Sequence, residues 1–408
     1  GQYVKRCSFA DSFNRAVTIH GTDEALVEEC VCVDTLGHTI FFEDGSEEDN
    51  TVRRNLVVGT RRPQGLIDAT IPTDLNDNDF QSRAPSAFWL ANPDNAIVDN
   101  VASDTVGSGY WLTFHTQVIG DSLTPGISHN RTAKPHITPA LEFSGNVAHG
   151  CNMGIDVHDG LQLKAGELLG AENGTENLFT QNFVSRKNLA WTPRIEVGEE
   201  LIDVPGYLDD MTIYGCKTGV YTGIAPGSVT FRWMRAADNE KSLFLASYDT
   251  VHTSWFLADS GLGIRARTAP GALPTPEDLT VEAFRMYDGA GTVIDTRFEG
   301  FGTPRERLIG TNAAANRFLN HRFVRCEHYS GAGASRTLPR VEWADFQCFI
   351  DGGDGMSCDW DGFATDGCTI TGDQLLPMKK TRTWGLVIQD TTGTLFDGAG
   401  NAKTLGAN

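Results

Sequence analysis

The sequence lacks any run of about 18 apolar residues, the length that a membrane-spanning helix needs. Basic residues are also few, with 33 Lys and Arg against 53 Asp and Glu and a net charge of −20. Nucleic-acid phosphates would be repelled by this charge, so generic nucleic-acid binding is excluded. No signal peptide begins at Gly1. We therefore expect a processed chain or an internal part of a longer precursor.

Helical periodicity is absent as well, because no stretch of about ten residues places its apolar side chains 3.6 residues apart. A short β-prone unit with Gly, Asn and Asp turns recurs instead. Its first copies are Val4-x-x-Cys7-x-Phe9, Val27-x-x-Cys30-x-Cys32 and Val52-x-x-Asn55-x-Val57. Later copies are Ile97-x-x-Asn100-x-Ala102, Phe143-x-x-Asn146-x-Ala148, Tyr207-x-x-Asp210-x-Thr212, Val293-x-x-Thr296-x-Phe298 and Phe323-x-x-Cys326-x-His328. A repeat spaced by about 25 residues predicts the coils of a solenoid.

The middle position of this unit is nearly always a small polar residue. In parallel coils it falls at an inward bend, about 4.8 Å from its equivalent in the next coil. We therefore predict that Asn55, Asn100 and Asn146 share one bend and bond neighbouring coils. The predicted fold class is all-β, a right-handed parallel β-helix with long loop inserts. A β-sandwich is the alternative, but it does not explain a repeated column.

One solenoid is expected to include the whole chain, because a solenoid grows in one dimension without a second core. Residues 1–330 are predicted to form parallel coils, with inserts at about 61–86, 116–139 and 161–204. Residues 331–408 are predicted to form C-terminal coils and a tail of the same solenoid.

Nine cysteines leave at least one unpaired within the chain. Cys7 and Cys30 should lie on adjacent coils within disulfide range. Cys358 and Cys368 bracket a Gly- and Asp-rich loop and are predicted as a second pair. Buried free thiols are the alternative, and we expect them at Cys216, Cys326 and Cys348. Two glycosylation sequons begin at Asn130 and Asn173, which together with the cysteines favours an extracellular protein.

Alignment of the coils by their glycine turns predicts one polar face. His20 would lie over Asp44, and Arg15 over His38. The predicted catalytic residues are Arg15, His20, His38 and Asp44, and the predicted substrate-binding residues are Asn14, Glu43, Asn92, Trp111 and His115. Glycoside cleavage needs a proton donor and an opposing base or nucleophile, and uronide cleavage needs a base and a cation near the carboxylate. The alternatives are a structural polar ladder and, for the aromatic residue, packing in the core.

Two acidic loops contain the alternating oxygen ligands that Ca²⁺ prefers. Calcium is therefore the expected cofactor, and the predicted ligands are Asp74, Asn76, Asn78, Asp359 and Asp361. Neither loop matches a full EF-hand. A solvated acidic loop is the alternative interpretation.

Several blocks of the sequence carry a family resemblance. They are SFNRAVTIHGTD, LGHTIFFEDGSEEDNT, SAFWLANPDNAIVDNVA, GYWLTFH and IQDTTGTLFDG. In wording, order and spacing they resemble the β-helix core of the cell migration-inducing hyaluronan-binding protein and cell-surface hyaluronidase (transmembrane protein 2) family. The resemblance implies a right-handed β-helix, an extracellular location, and hyaluronan binding or depolymerisation. Family members carry a glycine-rich domain ahead of the equivalent of Tyr3, where the residues proposed for degradation largely fall, and we expect this chain to lack it.

Three functions remain open at this point. The first is an extracellular scaffold that binds a hyaluronan-like glycan, alone or as part of a depolymerising protein. The second is a structural module of a cell-surface or filament assembly without catalysis, and the third is a polysaccharide lyase. The expected partners are an extracellular polysaccharide or glycoprotein. Since the strand from Tyr3 to Phe9 would otherwise expose unpaired backbone, another chain or domain is expected to cover the first coil.

Overall fold

The computed structural model describes residues 1–63, 84–126, 128, 130–157, 191–222, 229–245, 249–262, 281–286 and 292–301, followed by the backbone of seven strands between residues 306 and 390. Most described strands belong to three long sheets, here named A, B and C, whose successive members pair in parallel. One strand from each sheet makes a coil, and coil 1 consists of β1 (Tyr3–Lys5), β2 (Ser8–Ala10) and β3 (Val17–Ile19). Strands are numbered in chain order.

Sheet A contains β1 (Tyr3–Lys5), β4 (Leu26–Glu28), β7 (Thr51–Arg53), β10 (Ala96–Val98), β13 (Glu142–Ser144), β18 (Gly206–Asp209), β21 (Val229–Arg232), β24 (Thr250–His252), β27 (Thr292–Ile294) and β30 (Arg322–Val324). Sheet B contains β2 (Ser8–Ala10), β5 (Val31–Val33), β8 (Leu56–Val58), β11 (Val101–Ser103), β14 (Val147–His149), β19 (Thr212–Tyr214), β22 (Arg235–Ala237), β25 (Trp255–Leu257), β28 (Arg297–Glu299) and β31 (Glu327–Ser330).

Sheet C contains β3 (Val17–Ile19), β6 (Ile40–Phe42), β9 (Phe88–Leu90), β12 (Ser108–Leu112), β15 (Met153–Val157), β20 (Thr218–Thr222), β23 (Lys241–Leu245), β26 (Val281–Met286) and β29 (Glu306–Thr311). The inward side chains of the three sheets form one continuous apolar core along the described coils. The predicted fold class, an all-β parallel β-helix, is confirmed.

A residue in the left-handed backbone conformation, with positive φ, forms the corner between sheets A and B. Arg6, Glu29, Arg54 and Asp99 have φ between 54° and 55° at equivalent positions of coils 1 to 4. This conformation keeps the corner side chain outside and turns the next residue inward. In coil 5 the corner residue is Gly145, where an added Cβ would lie 2.1 Å from the Asp99 carboxylate oxygen.

The inward residue after this corner forms the predicted column. The backbone N–H and the Nδ2 of Asn55 both donate to Oδ1 of Asn100, at 3.0 and 2.9 Å. Asn100 donates in the same way to Asn146, at 3.0 and 3.1 Å. The predicted asparagine column is therefore confirmed, and all three side chains are buried.

The predicted copy of the repeat Tyr207-x-x-Asp210-x-Thr212 is wrong by one residue. Val147 pairs with Thr212, so Met211 rather than Asp210 continues the column after Asn146. Asp210 is instead the left-handed corner residue, with φ of 50°. A small polar residue at a corner cannot by its type alone reveal whether it occupies the outward or the inward position.

Insert residues that the structure describes lie outside the three sheets. The second insert contains two 3₁₀ turns, Gly120–Leu123 and Pro135–Ile137. The third contains an antiparallel hairpin of β16 (Arg194–Val197) and β17 (Glu200–Asp203). Most of the first insert is outside the described residues.

Beyond residue 330 the described strands pair antiparallel. They are β32 (Arg336–Thr337), β33 (Trp343–Asp351), β34 (Ser357–Cys358) and β35 (Thr383–Asp390). β33 pairs with β35, while β32 and β34 pair with β31 and β29. That residues 331–408 form C-terminal coils and a tail of the same solenoid stays a prediction.

Cys7 and Cys30 do lie on neighbouring coils, since the N–H of Val31 donates to the carbonyl of Cys7 at 2.9 Å. Both are free thiols in the structure, so their disulfide is not formed there and the pairing stays a prediction. Cys151 and Cys216 are likewise buried free thiols in the structure, which agrees with the expectation for Cys216 in the reduced chain. The side chains of Cys358, Cys368, Cys326 and Cys348 lie outside the described residues.

Candidate functional site

The predicted catalytic residues separate into two groups at opposite ends of sheet C. Arg15 and His38 precede β3 and β6, whereas His20 and Asp44 follow them. Since β3 is extended, its two ends are well separated. The prediction that all four residues share one accessible cluster is therefore wrong.

Arg15 and His38 meet on the ring of Phe41. The Arg15 guanidinium carbon lies 4.1 Å from the ring centroid, and the imidazole of His38 stacks on the same ring at 5.8 Å. His38 is fully buried, and its Nδ1 accepts the backbone N–H of Ser86 at 2.9 Å. The proton of a neutral His38 is then on Nε2. Asn14 accepts a hydrogen bond from Arg15 at 2.9 Å.

At the other end of β3, one imidazole lies among three carboxyl groups. His20 Nδ1 is 2.8 Å from Glu43 Oε2, and His20 Nε2 is 3.5 Å from Asp44 Oδ2. The third carboxyl group belongs to Glu47, which accepts the N–H groups of Gly21 at 3.0 Å and Gly45 at 2.8 Å. The register places His20 beside Glu43 rather than Asp44, because Ile19 pairs with Phe42.

These contacts perturb the ionisation of the cluster. Burial by itself would lower the pKa of His20, but the charges of Glu43, Asp44 and Glu47 outweigh it, and the pKa is raised. Burial raises the pKa of Asp44 and of Glu47. The cluster can therefore hold and exchange protons, yet it presents no excess positive charge to an acidic glycan.

Asp44 also anchors the second insert. Its Oδ2 accepts the backbone N–H of Ser122 at 2.9 Å, and its carbonyl accepts that of Ile119 at 3.0 Å. A Cβ at Gly120 would lie 2.3 Å from Asp44 Oδ1. With 4% exposure, Asp44 is primarily a structural contact between coil 2 and the insert.

The predicted substrate-binding residues are mostly buried, contrary to a role on an accessible face. Trp111 is 1% exposed and packs edge-on against Trp89 at 4.8 Å. Asn92 donates to the carbonyl of Gly45 on the neighbouring coil at 2.9 Å, and its Oδ1 accepts the N–H of Asp94 at 2.9 Å, which closes a turn. His115 is fully buried, and burial lowers its pKa to about 3. Glu43, in the His20 cluster, and Asn14 are partly exposed.

The remaining site predictions are only partly within the described residues. Asn130 donates from Nδ2, the atom that a glycan would occupy, to Glu48. Asn173 and both acidic loops, with Asp74, Asn76, Asn78, Asp359 and Asp361, lie outside the described residues. Among the side chains that the structure describes, no group of three or more His, Cys, Asp or Glu is placed to hold a metal ion.

Sequence reasoning missed an open groove on the outer face of sheet B. It has a volume of about 290 Å³ and crosses coils 6 to 8. Its floor consists of Tyr214, Ala237 and Leu257, which occupy one register column, and the small Ala237 leaves the depression. Ser260 and Leu262 form the wall after β25.

The groove is bordered by a column of large exposed side chains. Arg235 pairs in register with Trp255, and Trp255 with Arg297, on successive coils. Trp255 is 43% exposed. Arg235 is oriented by Asp210, with Nη2 and Oδ1 2.6 Å apart, and by Thr212 Oγ1 at 3.2 Å. The sequence signal that could have revealed the groove is Arg235, Trp255 and Arg297, each of which directly follows the inward residue of its corner.

The wall of the groove is fixed by Asp238. This buried carboxylate accepts the N–H of Ser260 at 2.8 Å and its hydroxyl at 2.5 Å. The groove therefore has one rigid side and one side with charged and aromatic groups. Such a surface can stack on a ring and pair with an anion.

Comparison with known proteins identifies the fold family. Residues 1–155 match the family model described as the CEMIP β-helix. The chain is 34% identical over 327 residues to the human cell surface hyaluronidase CEMIP2. This match covers 76% of this chain and 20% of that protein. It is 26% identical over 370 residues to the mouse cell migration-inducing and hyaluronan-binding protein, covering 80% and 25%.

Shorter matches include mouse fibrocystin-L, 35% identical over 147 residues, or 36% of this chain and 3% of that protein. The chain thus spans a quarter or less of the length of these relatives.

A solved structure titled "a new PL6 alginate lyase complex with trisaccharide" aligns with 83% of this chain and 60% of its own. The identity is 10% and the TM-score is 0.32, which carries no functional argument. In the part of the chain that the structure describes, no helix has the length and apolarity to cross a membrane. The β-helix of this chain therefore resembles the CEMIP β-helix region of these longer proteins.

Proposed function

We propose that this chain is an extracellular scaffold that binds an acidic, uronate-containing glycan of the hyaluronan type in the groove on sheet B. The observation that carries the proposal is the in-register column Arg235–Trp255–Arg297 beside an open depression. The names of the relatives, hyaluronidases and a hyaluronan-binding protein, suggest the glycan class.

Trp255 supplies the surface for a sugar ring. A large, rigid aromatic side chain gives extensive contact area at low entropic cost. Leu257 and Ala237 continue this apolar surface into the groove. Unlike Trp89 and Trp111, which are buried, Trp255 can meet a ligand without any rearrangement of the coils.

The two arginines supply the charge that a uronate needs. Arg235 is 53% exposed and its partner Asp210 is 51% exposed. An exposed ion pair of this kind contributes only about 0–1 kcal/mol, so a ligand carboxylate can compete for the guanidinium. Guanidinium groups bind carboxylates in a bidentate manner, which adds orientation to the binding energy.

The position of this column also explains how an acidic chain could bind an acidic glycan. With a net charge of −20, the chain repels a polyanion over most of its surface. A local pair of arginines about two coils apart, or roughly 10 Å at the spacing of paired strands, limits binding to one face. Binding should therefore weaken steeply as salt is added.

The test is a titration of the chain with hyaluronan oligosaccharides, followed by calorimetry. Arg235→Ala and Trp255→Ala should each weaken binding about tenfold, which corresponds to about 1.4 kcal/mol. Trp233→Ala is the matched control, because Trp233 is 50% exposed but does not line the groove. A neutral dextran of equal length should not bind.

Equal affinity of the Arg235 and Trp255 variants and the unchanged chain would refute this site. Absence of binding to any uronate-containing glycan would favour the structural-module alternative. In that case the groove should be covered by a protein partner.

A further inference from the structure

Two cysteines from different parts of the sequence lie in register at the second corner, where sheet B leads to sheet C. His149 pairs with Tyr214 on neighbouring strands, and Cys151 and Cys216 follow two residues later in each coil. The N–H of Lys217 donates to the carbonyl of Cys151 at 3.3 Å, which continues the register through the corner. Neither cysteine belongs to the pairs that the sequence indicated.

The two cysteines are buried at equivalent positions of neighbouring coils. Their exposure is 3% and 0%, and each thiol is close enough to perturb the pKa of the other. Cys151 Sγ also contacts the carbonyl of His149 at 3.4 Å, and Cys216 Sγ that of Tyr214 at 3.6 Å. These carbonyls fix both thiols on the inner side of the corner.

The spacing of the coils suits a covalent bond. Equivalent residues on paired strands lie about 4.8 Å apart, and disulfides join Cα atoms about 4.4–6.8 Å apart. The bond would therefore require rotation of the two side chains and no displacement of the backbone. Thr105 and Asn239 occupy the flanking positions of the same column, so no third thiol competes there.

We propose that Cys151 and Cys216 form a disulfide that joins coil 5 to coil 6 when the chain folds in an oxidising compartment. The two thiols lose two protons and two electrons as the S–S bond forms. The oxidant is a disulfide of the thiol–disulfide exchange type, which is reduced to two thiols. Because the mature corner is buried, the exchange takes place before coils 5 and 6 finish packing.

The bond would link the coils on either side of the third insert. Residues 152–215 separate the two cysteines, and a crosslink that closes so long a segment restricts the unfolded chain strongly. It would hold β14 against β19 independently of what the insert does. This inference does not depend on glycan binding.

The direct test is a disulfide map of the full chain, produced by secretion into an oxidising medium. The protein is denatured in excess alkylating reagent, digested without reduction and analysed by mass spectrometry. We expect one peptide pair joined through Cys151 and Cys216, which separates when a reductant is added. Recovery of both residues as alkylated free thiols, or joined to other cysteines, would overturn the proposal.

A thermal measurement supplies the second test. Reductant should lower the Tm of the unchanged chain by several degrees, and this loss should be smaller in Cys216→Ser. Cys32→Ser is the control, since Cys32 is equally buried but pairs in register with Phe9 and Val57. It should keep the reductant-dependent loss, and a loss that persists equally in Cys216→Ser would contradict the bond.

Discussion

Asn55 and Asn100 occupy the same inward corner of successive coils, and Asn55 directs both its backbone N–H and its Nδ2 at Oδ1 of Asn100. A single buried oxygen thus satisfies two donors of the neighbouring coil. Asn100 in turn donates to the carbonyl of Val52 at 2.8 Å. These contacts turn a local sequence preference into a bond between segments 45 residues apart.

Asn100→Leu should lower the free energy of unfolding by about 1–3 kcal/mol, because the N–H of Asn55 and the carbonyl of Val52 lose their partner inside the core. Met211→Leu is the matched control at the same column position. It exchanges one apolar side chain for another and should cost less than about 1.5 kcal/mol. Chemical denaturation measures both, and equal losses would show that the asparagine bonds contribute nothing specific.

His20→Ala should reduce thermal stability more at pH 5.5 than at pH 8. The pKa of folded His20 is raised above 6.5, so its charged form adds stability below that pH, which is lost as pH rises through the folded pKa. Melting curves at the two pH values measure the difference.

His149→Ala should show the opposite dependence of its stability loss on pH. Burial lowers the pKa of His149, which stacks on Tyr214 at 4.7 Å, so this variant should lose more stability at pH 8 than at pH 5.5. The same trend with pH in both variants would contradict the assignment of the His20 cluster.

Asp44→Asn distinguishes an anchoring carboxylate from a catalytic one. Because burial raises the pKa of Asp44, the amide removes the cost of a buried charge but accepts the N–H of Ser122 more weakly, so we expect the free energy of unfolding at pH 8 to change by less than about 1 kcal/mol. The chain length of hyaluronan incubated with each protein, measured on a gel, should be unaffected by the substitution. Depolymerisation by the unchanged chain that Asp44→Asn abolishes at unaltered Tm would establish catalysis at this cluster instead.

Asp249→Asn should stabilise the chain at pH 8 and have little effect at pH 4. Burial raises the pKa of this carboxyl from 3.8 to about 7, so the folded state holds a proton that the unfolded state releases. Stability therefore falls as pH rises from about 4 to 7, and the amide removes that fall. The N–H of Val229, which donates to Oδ1 at 3.0 Å, can still donate to the amide oxygen. Melting temperatures across this range that stay parallel in the two proteins would contradict the raised pKa.

Calcium should raise the Tm of the full chain if the acidic loops at Asp74 and Asp359 bind it, because a ligand of the folded state alone stabilises by mass action. Addition of a chelator should reverse the shift. The double substitution Asp74→Asn and Asp359→Asn should remove it. A Tm that does not change at millimolar calcium would refute the predicted cofactor.

The sequence by itself determined the solenoid. Each coil repeats the same local structure, a corner residue with positive φ followed by an inward side chain. Asn55, Asn100 and Asn146 could therefore be aligned without coordinates. Local chemistry was sufficient because each rung depends mainly on its neighbours. The frame was wrong at Asp210, where the local pattern permits two alignments one residue apart and only pairing with Val147 and its neighbours selects Met211.

Only the tertiary structure decided which side chains face solvent. Trp111 and Trp255 are the same residue type on β-strands, yet the first is buried on sheet C and the second is exposed on sheet B. Exposure depends on whether another segment covers a sheet, and that is a contact between residues distant in sequence. For the same reason, the meeting of Cys151 with Cys216 follows from how coils 5 and 6 stack on either side of the third insert.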